Sequence, residues 1–250
     1  MKRNVFIIAV LLCFTVLAYC QKTKSVTTKS ESRGIKVKEI TEVLKSDNTV
    51  KNGIYELWNN SKLICEGKYK NGKKDNQWIS YSRNNIIVAR RWYSEGTRSG
   101  QWGFFDREGN PDWTYDFDQK TATYFQHHED DKNEYMYQES NGEWKKGKLD
   151  VNPLALIGKN EWLVYLNSNL RYPIEAQDKG EQGTVLVTII VDENGESQDY
   201  SIYKSASPSL DEEALYMVKN FKYEFIPAEK DGKKVKVQYR IPISFHLEYN

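Results

Sequence analysis

Residues 184–191 (TVLVTIIV) form an unbroken apolar, β-branched run, the pattern of a strand buried on both faces. Asp192, Glu193, Asn194 and Gly195 follow, and residues 199–204 return to strand-like composition. Asn-Gly between two β-rich runs predicts a two-residue hairpin turn, because both residues accept the positive φ of a type I′ turn. Downstream, Leu210, Ala214, Met217, Val218 and Phe221 recur at helical spacing. They predict a helix over 210–221 that covers the hairpin. Ser209, followed by Asp211, Glu212 and Glu213, reads as its capping box, with acidic residues at the positive end of the dipole. From 235 to 247 the odd positions are apolar or aromatic, and the even ones are Lys236, Gln238, Arg240, Pro242, Ser244 and His246. That alternation predicts a half-buried strand. Pro242 cannot donate to a ladder, so this last strand should have one open side.

The pattern upstream repeats. Tyr69-x-x-Gly72 with Gln77-Trp78-x-x-Tyr81 recurs as Tyr93-x-x-Gly96 with Gln101-Trp102-x-x-Phe105, an offset of 24 residues (93 − 69 and 102 − 78). A partial copy, Gly53-Ile54-Tyr55-Glu56-Leu57-Trp58, precedes them, and each full copy ends in another turn, Arg83-Asn84-Asn85 or Arg107-Glu108-Gly109-Asn110. The array resembles MORN-like hairpin repeats: short antiparallel strands, each burying aromatics against its neighbour. Aromatic, strand-prone segments at 113–117, 121–125, 134–137 and 143–145 are expected to extend the same sheet, with Asn141-Gly142 as a further hairpin turn. Residues 150–170 then connect the halves through a loop at Pro153 and a helix over 161–170.

At the start, Lys2 and Arg3 precede an apolar stretch over 5–18, and Ala18-Tyr19-Cys20 offers a small-x-small cleavage site before Gln21. This reads as a signal peptide over 1–20. The apolar run is shorter than the roughly 20 residues a spanning helix needs. An uncleaved membrane anchor and a lipoprotein at Cys20 are the alternatives. Residues 21–49 form a polar leader, partly flexible, in which the alternation at 35–43 can supply a first strand.

Charge and chemistry narrow the function classes. Of three cysteines, Cys13 and Cys20 leave with the signal, so Cys65 has no internal disulfide partner and reads as a small buried hydrophobe. Losing Lys2 and Arg3 takes the formal charge from +1 to −1 (1 − 2), a balance that does not suggest nucleic acid. The sequence holds no Ser-His-Asp set, no HExxH, no GxGxxG after a strand and no cysteine cluster. The chain is therefore read as non-enzymatic, with no catalytic residues, cofactors or metal. His127, His128, Glu129, Asp130 and Asp131 have metal-ligand character. Adjacent histidines on a strand point to opposite faces, so the patch reads as a solvated turn. Trp78, Trp92 and Trp102 with Arg90, Arg91 and Arg98 are read as the core of the β-layer before a glycan- or peptide-binding face.

Tyr172-Pro173-xx-Ala176, Gly180-xx-Gly183, the apolar run to Gly195, Leu210-Asp211-xx-Ala214, Phe225-x-Pro227-Ala228, Gly232-Lys233-x-Val235 and Ile241-Pro242-Ile243-x-Phe245 together resemble the TonB C-terminal domain family over about residues 171–247, within a C-terminal domain of 171–250. The resemblance implies a helix–hairpin–helix–strand fold, in agreement with the element order read above. The expected fold class is α+β, an N-terminal all-β domain of repeated antiparallel hairpins at 50–149 and a C-terminal domain with a three-stranded antiparallel sheet. In TonB this domain adds a strand to a short peptide, the TonB box, of outer-membrane transporters. TonB is anchored in the inner membrane and driven by the proton gradient through a segment in which a histidine matters.

Here residues 5–19 contain no histidine, and the leader has no proline, whereas TonB's linker is stiff and proline-rich. The function expected is accordingly a periplasmic, TonB-like protein that binds a partner peptide by strand addition, within TonB-dependent transport. The alternative is an exported envelope scaffold or interaction protein without energy coupling. The binding edge is expected at Val235, Lys236, Val237, Gln238, Tyr239 and Arg240. The partner is a TonB-box-like segment of an envelope or outer-membrane protein. Membrane association would come through partners or an uncleaved N-terminal segment, and a homodimer is compatible with an open edge.

Overall fold

In the computed structural model the glycine-punctuated repeats become a ladder of hairpins. The structure describes residues 21–125 and 134–247. Strands β1 (Thr23–Ser32), β2 (Ile35–Leu44), β3 (Lys51–Asn59), β4 (Lys62–Lys70), β5 (Lys73–Tyr81), β6 (Ile87–Ser94), β7 (Thr97–Phe105), β8 (Pro111–Asp116) and β9 (Thr121–Tyr124) each pair antiparallel with the next. The result is a nine-stranded sheet in chain order. Residues 21–49 are part of it: β1 and β2 pair without a break from Thr23↔Leu44 to Ser32↔Ile35. The expected flexible leader is thus a folded hairpin. β2 buries Ile35, Thr41 and Val43, while β1 is a polar, Thr- and Lys-bearing rim, the chemistry that suits an edge.

The 24-residue period is visible in the bonding. Trp78 Nε1 donates to Lys68 O at 3.2 Å, and Trp102 Nε1 donates to Trp92 O at 2.9 Å, each ten residues back. Gly72 and Gly96 take φ of 80° and 88° at the two equivalent turns, a conformation that glycine adopts without steric cost. The rings form a row: Tyr69–Trp78 at 5.0 Å, Trp78–Tyr93 at 6.3 Å, Tyr93–Trp102 at 5.2 Å and Trp102–Phe117 at 5.0 Å between centroids. Such pairs contribute about 0.5–1.5 kcal/mol each beyond their buried area. Lys51 stands over the Tyr69 ring, Lys74 over Trp78 and Tyr93, and Arg98 over Phe117.

Next come β10 (Tyr135–Gln138), β11 (Trp144–Gly147), β12 (Leu154–Ala155), α1 (Lys159–Asn169), α2 (Ile174–Asp178), β13 (Gly183–Val191), β14 (Ser197–Lys204), α3 (Pro208–Asn220), β15 (Phe225–Ile226), β16 (Ala228–Lys230), β17 (Lys233–Val235) and β18 (Val237–Phe245). The second sheet has the order β11-β10-β18-β13-β14, five strands where three were expected. β10 and β11, expected in the first sheet, belong to the second. The inward side chain of β10, Tyr137, is buried in the second core opposite Val237. α3 packs on β13, β14 and β18 and buries Leu210, Ala214, Met217 and Val218 completely. Burial of each larger side chain contributes roughly 1.5–3 kcal/mol.

Three local expectations change. α3 starts at Pro208 with Ser207 as N-cap, not at a Ser209 capping box. Proline at the first helical position needs no donor, and Asp211 Oδ1 accepts the Ala206 N–H at 3.1 Å. In the loop between β13 and β14 only Gly195, with φ 81°, takes a positive φ. Asp192 N donates to Glu196 O and Asp192 Oδ1 accepts from Asn194 N and Glu196 N, so the loop is longer than a two-residue type I′ turn. The strand expected over 235–247 breaks at Lys236 into β17 and β18.

The connecting segment joins both cores. Leu156 is buried among Trp102, Phe104 and Trp113 of the first sheet, with Leu154 and Ile226 beside them. β12 pairs with β15 at Leu154↔Ile226. Arg98 donates to Phe225 O at 3.0 Å and the Tyr93 hydroxyl donates to Glu224 Oε1 at 3.1 Å. At the far end, Arg33 in the β1–β2 turn meets the buried Glu213 of α3 at 2.6 Å.

Candidate functional site

The last strand has two different sides. Towards β13 its register is continuous, from Gly183↔Phe245 to Val191↔Val237. Towards β10 it is paired only at its head, Tyr137↔Val237, where Gln138 N donates to Lys236 O at 2.9 Å. Backbone groups along an antiparallel strand face alternate sides. Since the Lys236 carbonyl faces β10, the same phase turns the N–H and C=O of Gln238, Arg240 and Ser244, and the C=O of Pro242, away from β13.

Pro242 lies in that outward phase, opposite Leu186. Its missing donor is therefore taken from the open side, and the ladder to β13 is kept. Among the described residues, no strand pairs with this side of β18 beyond Val237. The free backbone stretch runs over residues 240–245, about 20 Å of extended chain.

The six residues expected to form the edge are divided by the structure. Val235 pairs with Ala228 in the β16–β17 hairpin, the Lys236 carbonyl is taken by Gln138, and Val237 is fully buried. These three are covered by the chain's own strands, a correction to an edge starting at Val235. Gln238 is the first residue of β18 with outward backbone groups, but it lies beside β10. Tyr239 turns inward, its ring 5.1 Å from that of Phe225. Arg240 opens the free stretch, its exposed guanidinium 3.7 Å over the Tyr203 ring, a contact worth about 0.5–1 kcal/mol at the surface. Ser244, at the other end, shares a 2.9 Å hydroxyl contact with Thr184. The sequence reading missed residues 242–245; the signal was the even phase of Pro242.

The opposite rim, β14, is a poorer template. Its pairing with β13 shifts register between Leu186 and Val187 and between Thr188 and Ile190, and Asp199 takes φ 52°. Bulges of this kind twist a rim away from further pairing.

Other chemistry is sparse among the described residues. No group of three or more His, Cys, Asp and Glu side chains could hold a metal there; the His127–Asp131 patch lies outside them. Burial pushes the Cys65 thiol up to about 11, against the weaker pull of Arg91 and Lys74, so it is a poor nucleophile at neutral pH.

Comparison with known proteins bears on the same part of the chain. The family model for the Gram-negative bacterial TonB protein C-terminal matches residues 168–247. Among solved structures, the NMR structure of the Helicobacter pylori TonB C-terminal domain is 26% identical over 36% of this chain and 79% of its own, with a TM-score of 0.27. S. aureus TarM, in complex with fondaparinux, α-GlcNAc-glycerol and UDP, is 17% identical over 39% of this chain and 21% of its own, with a TM-score of 0.26. No curated protein matches the chain. The family match covers the segment whose motifs carry the resemblance: residues 168–247 are a domain of the TonB C-terminal family.

Proposed function

We propose that the chain is a non-enzymatic, TonB-like protein of the cell envelope whose C-terminal domain captures a partner peptide by adding it as a strand to β18. The observation that carries this reading is the regular free edge at Arg240, Pro242 and Ser244 within the family-matched segment. Main-chain hydrogen bonds would supply affinity, and side chains at alternate positions would select the sequence. The partner is a TonB-box-like segment of an outer-membrane or other envelope protein, and Arg240 favours acidic residues beside it. The family supports a place in TonB-dependent transport. A periplasmic location, reached through a signal peptide over 1–20, rests on the sequence pattern. No helix among the described residues is long and apolar enough to cross a membrane.

A second reading, an envelope interaction protein without energy coupling, is favoured by one observation. Residues 23–44 are built into β1 and β2 rather than forming a spacer between an anchor and the folded body.

Ser244→Pro removes an outward donor and puts a ring on the free edge. Anisotropy with a panel of labelled, extended peptides carrying acidic flanks should show binding weakened about tenfold, with the thermal melt nearly unchanged. Full-strength binding by a folded Ser244→Pro protein rejects this edge.

A further inference from the structure

The turns that close two alternate hairpins of the first sheet lie one repeat apart, so Arg83 and Arg107 hold the same place in successive copies (107 − 83 = 24). Both turns are braced by side chains: Ser82 Oγ accepts the Ile86 N–H, and Asp106 Oδ1 accepts those of Glu108 and Asn110. α1 lies across them, fixed where Asn160 Nδ2 donates to Asp106 O at 3.0 Å. Between the two turns and the helix is a cleft of about 230 Å³.

Its lining is apolar at Ile86, Leu163 and Val164. Two buried polar side chains of α1, Asn160 and Ser168, each 7% exposed, also line it. At the mouth, the exposed Arg83 and Arg107 have no carboxylate within ion-pair distance among the described residues. Of the two acids that flank Arg107, Asp106 is occupied by its own turn and Glu108 makes no ion pair with it. Two unpaired guanidinium groups at one cleft repel each other and leave their planar donor forks unused.

We propose that this cleft, distinct from the β18 edge, binds a small organic carboxylate. The carboxylate is held by Arg83 and Arg107, and an aliphatic body of a few carbons rests on Ile86, Leu163 and Val164. A bare inorganic anion would leave the apolar lining uncovered, and a neutral aliphatic molecule would leave the arginines unpaired.

Titration of the full chain with isovalerate, followed by amide NMR, tests the site. The expected result is saturable shifts at Leu163, Asn167 and Ser168. Inorganic phosphate should act at least about tenfold more weakly at the same amides, and isopentanol should not act there. Arg83→Gln with Arg107→Gln should weaken isovalerate about tenfold or more. Both arginines are exposed turn residues, so the fold is not at risk, and an unchanged spectrum away from α1 verifies it. Phosphate binding as tightly as isovalerate, undiminished binding by the double variant, or shifts scattered over other surface arginines would each overturn the proposal.

Discussion

Arg91 on β6 and Glu161 on α1 meet at 2.7 Å with side chains only 14% and 13% exposed. The same guanidinium donates to Leu156 O at 3.3 Å and lies 5.6 Å and 5.4 Å from the ring centres of Trp102 and Phe104. It ties the first sheet to the connecting segment at the point where the two cores meet.

Removing one partner leaves the other charge buried and alone. Arg91→Met should therefore cost about 3–5 kcal/mol, whereas Arg91→Met combined with Glu161→Leu should return most of it, because an apolar pair of similar volume avoids the desolvation penalty. Urea unfolding of the single and double variants measures both.

Gly67 is needed for space rather than for its φ. A Cβ there would lie 2.3 Å from the Trp78 indole, which is held by its bond to Lys68 O. Gly67→Ala must push the ring out of the aromatic row and should cost about 1–3 kcal/mol. Tryptophan emission of the folded variant should shift to the red, and a denaturant melt should show the loss of stability.

The thiol of Cys65 makes part of the stability depend on alkaline pH. Its ordinary value of 9.0 is raised by burial to about 11 in the folded chain. Between these values the folded state holds the proton more tightly than the unfolded one. The contribution is therefore fully present below 9.0 and is lost as pH rises through about 11. Tyr165, raised by burial to about 12, adds a later loss of the same sign. Cys65→Ala should flatten the first part of the fall, between pH 9 and 10, before the unfolded tyrosines titrate, and leave the later part. The native thiol should react with a disulfide reagent with a midpoint near pH 11, against one near 9.0 in denaturant.

The cooperative unit around β18 should include β10 and β11. A fragment of residues 134–250 keeps Tyr137 over Val237, and one of residues 150–250 loses it. The longer fragment should be more stable by about 2 kcal/mol, the value of one buried side chain of this size. Equal melting temperatures for the two would return β10 and β11 to the first sheet's folding unit.

The parts legible in the sequence were those with a strong period or strong punctuation. Trp78 and Trp102, with Gly72 and Gly96, announced the hairpin ladder, and the run over 184–191 announced β13. β1 was hidden because its side chains are mostly exposed and so leave no alternation; only its pairing to β2 reveals it. β10 and β11 were misassigned because four residues with one inward side chain, Tyr137, fit either sheet. For the candidate edge, Pro242 marks the side of β18 that β10 meets only at Val237. Pairing of Lys236 and Val237 with β10 is a long-range contact that no local pattern contains, and the edge therefore starts further along than Val235.

The two ends of the described chain are unequal in what their loss would remove. β1 has one neighbour, so deleting it shortens the first sheet from nine strands to eight and leaves every other ladder in place. β18 stands between β10 and β13, so deleting it parts one hairpin from the other, while the covering helix keeps most of its footing on β13 and β14. A late frameshift or a clipped C-terminus that removes β18 would thus split the second sheet in two, while trimming that stops short of Arg33, the partner of the buried Glu213, would cost the first sheet a rim.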